Sequence, residues 1–292
     1  DGLGRDLGGG KFAAAADIRR EIEAELRLAI QRDELSIFFQ PIVDLATGRI
    51  RAFEALIRWQ HPGRGMVSPA QFIPLAEETG QIIEIGHWVF RESARQLKHW
   101  EALCNTEFQV SVNMSPVQCT GLQVSVNVSP EQFRSTSPYQ KWSAYLQELG
   151  LPGHSMVIEI TEGLLLDADA NVTGKLLEFR DAGIQAAIDD FGTGYSSLSY
   201  LKKFDIDYLK IDQSFVRDLV ADPDDRALSE AIIVMAHKLG LKVIAEGVET
   251  EAQCKLLTDA GCDQAQGYLF SRPIPAEEFE ALLKNGLLPN PG

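Results

Sequence analysis

At 292 residues, 45% apolar and 24% charged, the chain has the composition of a globular domain with a sizeable core, which excludes a disordered polymer. Its 42 acidic against 27 basic residues give a formal net charge of −15, a surface that repels polyphosphate backbones and excludes a nucleic-acid polymer as partner. A small phosphate ligand stays compatible with that charge, because bound cations reverse the local field.

Residues 1–11 are rich in glycine and are expected to be mobile. Gly10-Lys11 lacks both the earlier glycine and the following Ser/Thr of a phosphate-binding loop. No apolar core of a signal peptide follows, and no run approaches the roughly 20 apolar residues that span a bilayer, so this segment is expected to make no membrane contact. The chain does not start with Met and reads as a piece of a longer cytoplasmic protein whose other parts are free to carry an anchor. Cys104, Cys119, Cys254 and Cys262 form no CxxC pair and read as reduced thiols. The five histidines, His61, His87, His99, His154 and His237, show no HExxH and none stands at a strand end, which argues against a zinc site.

Residues 14–32 predict a helix, with Ile18, Ile22, Leu26, Ala29 and Ile30 at helical spacing. Ser36–Val43 reads as a strand containing Gln40-Pro41, and the short Leu45–Gly48 link turns it into a second strand from Ile50, which makes an antiparallel hairpin. Helices are expected around 69–79, 87–103, 131–149, 171–182, 196–203, 226–239, 250–260 and 276–284. That at 226–239 offers Leu228, Ile232, Met235 and Leu239 as its apolar face. In the next, Thr250 is the N-cap and Gly261 the stop.

Between the helices, apolar strands finish on polar residues. Ile50–Phe53 runs into Glu54, Met156–Ile158 into Glu159, Gln185–Ile188 into Asp189 and Asp190. Asp207–Leu209 runs into Lys210 and Asp212, and Lys242–Ala245 into Glu246. Another strand is written twice: Gln109–Gln118 recurs fourteen residues on as Gln123–Gln132, with eight of ten positions identical. A barrel has room for one copy. A short link after the preceding helix favours Asn113, whereas the helix start that Ser129, Pro130 and Gln132 encode favours Asn127, the preferred choice.

Strands that are apolar until their last residues are the mark of a parallel sheet buried on both faces, and in a closed βα barrel those ends converge on one mouth. Carboxylates gathered there repel unless cations join them. Oxygen ligands select Mg²⁺ or Mn²⁺ over zinc. Phe191-Gly192 breaks its strand and lets Asp189 and Asp190 both face the mouth, with one carboxylate shared between two ions. Two such ions activate a water and stabilise the leaving oxygen of a phosphoryl displacement, and Lys210 is placed to hold the attacking water.

Glu54-Ala-Leu-Ile-Arg-Trp59 resembles the signature of the EAL-domain family, bacterial phosphodiesterases of cyclic di-GMP. The likeness continues through Phe39-Gln-Pro41, Glu159-Ile-Thr-Glu162, Asp189–Leu198, Leu209-Lys-Ile-Asp212, Glu246-Gly-Val-Glu249 and Gln266-Gly267. It implies a (β/α)8 TIM-like barrel with an antiparallel first strand over residues 20–285. Residues 1–19 would be a flexible segment and the start of a connector helix, and 286–292 a tail. The resemblance implies hydrolysis of cyclic di-GMP to linear pGpG, with calcium inhibitory. It assigns Glu54, Asn127 (or Asn113), Glu159 and Asp189 to one metal, and Asp189, Asp190 and Glu246 to another. Lys210, Glu246 and Glu54 would be catalytic. Gln40, Leu56, Arg58, Asp212 and Gln266 would bind substrate, and Glu162 and Glu249 would stand behind the metal ligands. It further implies a homodimer through the Asp189–Leu198 loop and the following helix, and fusion to upstream GGDEF-like domains. The competing expectations are a receptor that holds cyclic di-GMP without cutting it, and a barrel enzyme for another phosphodiester.

Overall fold

The computed structural model describes residues 9–115, 138–166, 170–192 and 205–285. Eight strands close a barrel: β1 (Leu35–Asp44), β2 (Arg49–His61), β4 (Gln109–Asn113), β5 (Met156–Thr161), β6 (Gln185–Phe191), β7 (Tyr208–Ile211), β8 (Lys242–Ala245) and β9 (Gln264–Ala265). Strand β1 is antiparallel to both neighbours, β2 and β9, and every other barrel pairing is parallel. The antiparallel start follows from the link Leu45–Gly48, too short for a crossover, as the sequence implies. Two short strands, β3 (Gly65–Val67) and β10 (Ile274–Pro275), extend the sheet from β2 and β1.

Helices α1 (Gly9–Ala29), α2 (Pro69–Thr79), α3 (Ile82–Cys104), α4 (Pro138–Leu149), α5 (Glu162–Leu166), α6 (Ala170–Asp181), α7 (Gln213–Arg217), α8 (Pro223–Lys238), α9 (Glu251–Asp259) and α10 (Ala276–Asn285) accompany the strands. Gly9, Gly10 and Lys11 belong to α1 rather than to a loop. The expected helix at 196–203 and the N-terminal part of 131–149 lie outside the described residues. Thr250 caps α9 through a reciprocal capping box with Gln253, satisfying two donors that the helix start leaves free. In α8 the buried residues are Ser229, Ile233 and Ala236, one position round from the expected face, and Leu228 and Leu239 stay 49% and 39% exposed. Small Ser229 and Ala236 let the helix approach the strands more closely than the larger side chains would, and that packing outweighs the apolar count.

Between barrel and helices, Phe39, Phe53, Trp100 and Phe279 meet edge-on or tilted, with centroids 4.8 to 6.1 Å apart, geometry that aromatic quadrupoles favour. The barrel interior is filled by Ile42, Ala52, Val157, Ala187, Tyr208 and Ile244. Among the described residues no helix is long and apolar enough to cross a membrane, and Cys104, Cys254 and Cys262 are free thiols.

Candidate active site

Glu54 does not end its strand. β2 continues seven residues further to His61, because β1 and then β3 keep pairing with it. Its pairing with β4, however, stops at Ala55, so Glu54 still stands at the level where the parallel strands finish. The slot between β2 and β5 is filled by the first copy of the repeat. Asn113 pairs in register with Glu159 and donates from Nδ2 to Glu54 Oε1 at 2.7 Å. The preference for Asn127 as the residue of this slot is thereby corrected, and Asn127 itself lies outside the described residues. The physical reason is the four-residue link 105–108 between α3 and β4, which delivers the first copy to the sheet before the second is reached.

At the centre is Lys210, 1% exposed. Its Nζ lies 2.6 Å from Glu246 Oε1, 2.8 Å from Glu159 Oε2, 3.1 Å from Asp189 Oδ1 and 3.9 Å from Glu54 Oε2. Burial alone would favour a neutral amine, but the surrounding acids hold the Lys210 ammonium well above its usual range. One ammonium cannot neutralise four carboxylates, and the excess shows in their proton affinities. Burial and the neighbouring Glu54 push Glu159 well above the usual carboxylate range. Burial likewise carries Glu246, against the pull of Lys210, to about 7. Glu54 is lowered: burial raises it, but Lys210 and the hydrogen bonds from Gln266 and Asn113 outweigh that cost.

Asp189 and Asp190 do reach the same side, and the break that permits it falls on Asp190 itself. Its φ is +55°, and the β6–β7 register slips between Ile188 and Phe191, as in a bulge that re-aims a side chain. The next turn needs a glycine. Gly192 has φ +100°, and a Cβ there would come within 2.9 Å of the Phe215 ring. Asp189, Asp190 and Glu246 each offer an oxygen within 4.8 Å of the others. Burial, with Asp189 and Asp212 beside it, raises the Asp190 carboxyl.

These groups fit divalent cations. The donors are oxygens, negative charge is in excess, and Glu159 Oε1 is buried without a hydrogen-bond partner. An orphaned carboxylate oxygen in a low-dielectric site is costly unless a cation meets it.

Around this centre, Gln266 Nε2 donates to Glu54 Oε2 at 2.6 Å and to Gln40 Oε1 at 2.9 Å, and Gln40 Nε2 donates to Ser271 O at 3.0 Å. Leu56, Arg58 and Asn113 line a cavity of about 320 Å³. Arg58 stands over the Phe38 ring at 5.4 Å, and its Nη1 donates to Ile57 O at 2.9 Å. Glu162 is buried and accepts from Gly192 N at 3.3 Å. Asp212 stands at the edge of the cluster, hydrogen-bonded to the Asp190 carboxyl, and Glu249 lies outside it. Asp212 caps α7 by accepting from Ser214 N at 3.0 Å. Glu249 is exposed, its N–H donating to Gln253. The residues after Gly192 in the expected dimer loop lie outside the described residues.

The EAL domain model matches residues 23–123 and again 118–273, two pieces that meet at the repeated segment. The chain belongs to the EAL domain family. It is 41% identical over 270 residues to the bifunctional diguanylate cyclase/cyclic di-GMP phosphodiesterase MucR of Pseudomonas aeruginosa, covering 92% of this chain and 37% of that protein. It is 39% identical over 265 residues to the cyclic di-GMP phosphodiesterase NbdA of the same organism, covering 90% and 32%. Among solved structures, the PaMucR phosphodiesterase in complex with c-di-GMP superposes with a TM-score of 0.78 at 37% identity, over 89% of this chain and 99% of that one. This EAL domain chain spans roughly a third of the length of the curated relatives it matches.

Proposed function

We propose that this EAL domain hydrolyses cyclic di-GMP to linear pGpG, with two Mg²⁺ or Mn²⁺ ions held at the mouth of the barrel. The observation that carries the reading is the convergence of Glu54, Glu159, Asp189 and Glu246 on one buried lysine, a charge excess that calls for cations. The names of the relatives supply the substrate.

In this reading Glu54, Asn113, Glu159 and Asp189 hold one ion, and Asp189, Asp190 and Glu246 the other. Bound ions supply an activated water and neutralise charge on the phosphoryl group. Lys210 donates an N–H to the attacking oxygen and fixes its direction. Arg58 binds the phosphodiester, and Gln40 and Leu56 line the substrate cleft. Gln266 holds Glu54 and Gln40 together, so metal and substrate sides share one hydrogen-bonded frame. The water oxygen bonds to phosphorus and the P–O3′ bond breaks, leaving a 5′-phosphate and a 3′-hydroxyl.

Incubation of the purified protein with cyclic di-GMP and Mg²⁺, followed by chromatography, tests this. pGpG should appear, and calcium should suppress it because its larger, flexible coordination sphere misplaces the ions. Intact substrate in Mg²⁺ and Mn²⁺ alike would overturn hydrolysis, and tight binding without cleavage would select the receptor reading.

A further inference from the structure

Asn113 stands at a strand end whose two sides are unequally held. On the β5 side the ladder runs past it: Asn113 pairs with Glu159, and Met114 N donates to Glu159 O at 3.0 Å. On the β2 side pairing stops one residue earlier, at Val112 opposite Ala55. Asn113 is also the exposed residue of β4, so close packing does not fix its amide. Two residues on, Ser115 Oγ donates to Glu77 Oε1 at 2.6 Å, the short separation of a hydroxyl on a carboxylate. That bond ties the end of β4 to α2, which packs beside β2.

Glu77 is firmly mounted. It lies in the last turn of α2, where Leu75 and Ala76 are buried, and Gly80 at φ +75° ends the helix by donating its N–H to Glu77 O at 3.3 Å. From outside, α1 grips the same end: Arg19 pairs with Glu78, and Gln81 Nε2 donates to Glu23 O at 3.5 Å. A carboxylate fixed in this way can serve as a post for the strand end. Without it, little on the β2 side would keep Asn113 within reach of Glu54 Oε1, now 2.7 Å from its Nδ2. We propose that Glu77 is a positioning residue: through Ser115 it sets the place of Asn113, and with it the affinity of the ion that Asn113 and Glu54 share. The inference rests on the metal site proposed above. Groups that hold a metal ligand without touching the ion contribute about 10- to 100-fold in metal affinity or activity. Glu77 and Ser115 also line the cavity of Leu56 and Arg58, which makes direct contact with substrate the competing role.

The test is Mn²⁺ affinity, measured by calorimetry without substrate, followed by kcat and KM for cyclic di-GMP. The proteins compared are wild type, Glu77→Ala, Glu77→Gln, Ser115→Ala and the double variant Glu77→Ala/Ser115→Ala. Glu77→Ala and Ser115→Ala should each weaken Mn²⁺ binding and lower kcat by about 10-fold, with KM unchanged. Glu77→Gln keeps an acceptor oxygen and should recover most of the loss. The double variant should be no worse than either single one, because both remove the same hydrogen bond. Unchanged Mn²⁺ affinity in Glu77→Ala, or losses that add in the double variant, would overturn the proposal. So would a raised KM with Mn²⁺ affinity intact, which would make Glu77 a substrate contact. If Glu77→Ala fails to fold, Ser115→Ala carries the same expectation and the same power to refute it. A wild type that binds Mn²⁺ and leaves cyclic di-GMP uncut would defeat the hydrolase reading while leaving Glu77 to be judged on Mn²⁺ affinity. A wild type that binds no Mn²⁺ would overturn both.

Discussion

The two ends of this barrel both carry clustered polar side chains, half-buried at one end and buried at the other, and they treat them oppositely. At the end where the parallel strands begin, Tyr208 Oη donates to Gln109 Oε1 at 3.0 Å and Gln109 Nε2 donates to Gln185 Oε1 at 2.6 Å. Gln109 Nε2 also donates to His154 O at 2.7 Å, and Gln185 Nε2 donates to Asp207 Oδ1 at 2.9 Å. The chain of partners there is closed, mostly neutral, and each side chain has a bond. At the mouth, four carboxylates share one ammonium, and oxygens of Glu159 and Gln266 are buried with no partner. Satisfied polar layers rigidify a barrel, whereas under-satisfied charge is retained where something must bind.

The sharpest way to break that contrast is to change the charge at the mouth in opposite directions. Lys210→Met should reduce turnover of cyclic di-GMP by at least about 10³-fold and, in EDTA, destabilise the fold by roughly 3–5 kcal/mol, because it strands buried acids. Glu159→Gln removes part of the excess instead. It should cost comparable activity yet raise the melting temperature of the metal-free protein by roughly 2–4 °C. Turnover assays and thermal melts in EDTA check both. Two residues 2.8 Å apart should therefore shift stability with opposite signs, and a shared sign would dissolve the distinction between the two ends.

A second pair sharpens the assignment of the repeat. Asn113→Ala should lower activity on the order of 10-fold or more and weaken Mn²⁺ binding, and Asn127→Ala should do neither. Equal losses would show that both copies serve the site. Adding Mn²⁺ should itself stabilise the wild type by about 2.7 kcal/mol at a hundredfold excess over its dissociation constant. Glu159→Gln should reduce that gain in melts with and without the ion.

How far the sequence goes depends on which residues carry the signal. The strands β5 to β8 are legible because they are apolar on both faces until an acid or lysine ends the run. The hairpin is legible because Leu45–Gly48 is too short for anything else. The repeat is not legible by local rules. Ser129, Pro130 and Gln132 write a good helix start, but a slot in a sheet is awarded by connection length and neighbours, which a capping rule does not see. The bulge falls on Asp190, one or two residues before the break that Phe191-Gly192 suggests, for a similar reason: glycine is conspicuous in a sequence, and an aspartate with positive φ is not. Glu249 lies three residues beyond Glu246, but the turn after β8 carries it to the surface.

The closed layer at the other end was invisible in the sequence, since Gln109, Gln185 and Asp207 look like ordinary first residues of strands. It yields the smallest expected effect. Gln185→Ala removes the acceptor that Gln109 Nε2 uses at 2.6 Å and the donor that Asp207 Oδ1 accepts at 2.9 Å. Gln109 Nε2 keeps its bond to His154 O, so the loss falls mainly on Asp207 Oδ1, and in this half-buried layer it should lower stability by about 1 kcal/mol, measured by urea unfolding. Turnover should stay within about two-fold of wild type, because substitutions that share no partner with the mouth act additively. If turnover instead fell as steeply as in Lys210→Met, the polar layer would be mechanically coupled to the acids above it. The barrel would then have to be described as one polar column rather than as a scaffold with a site at one end.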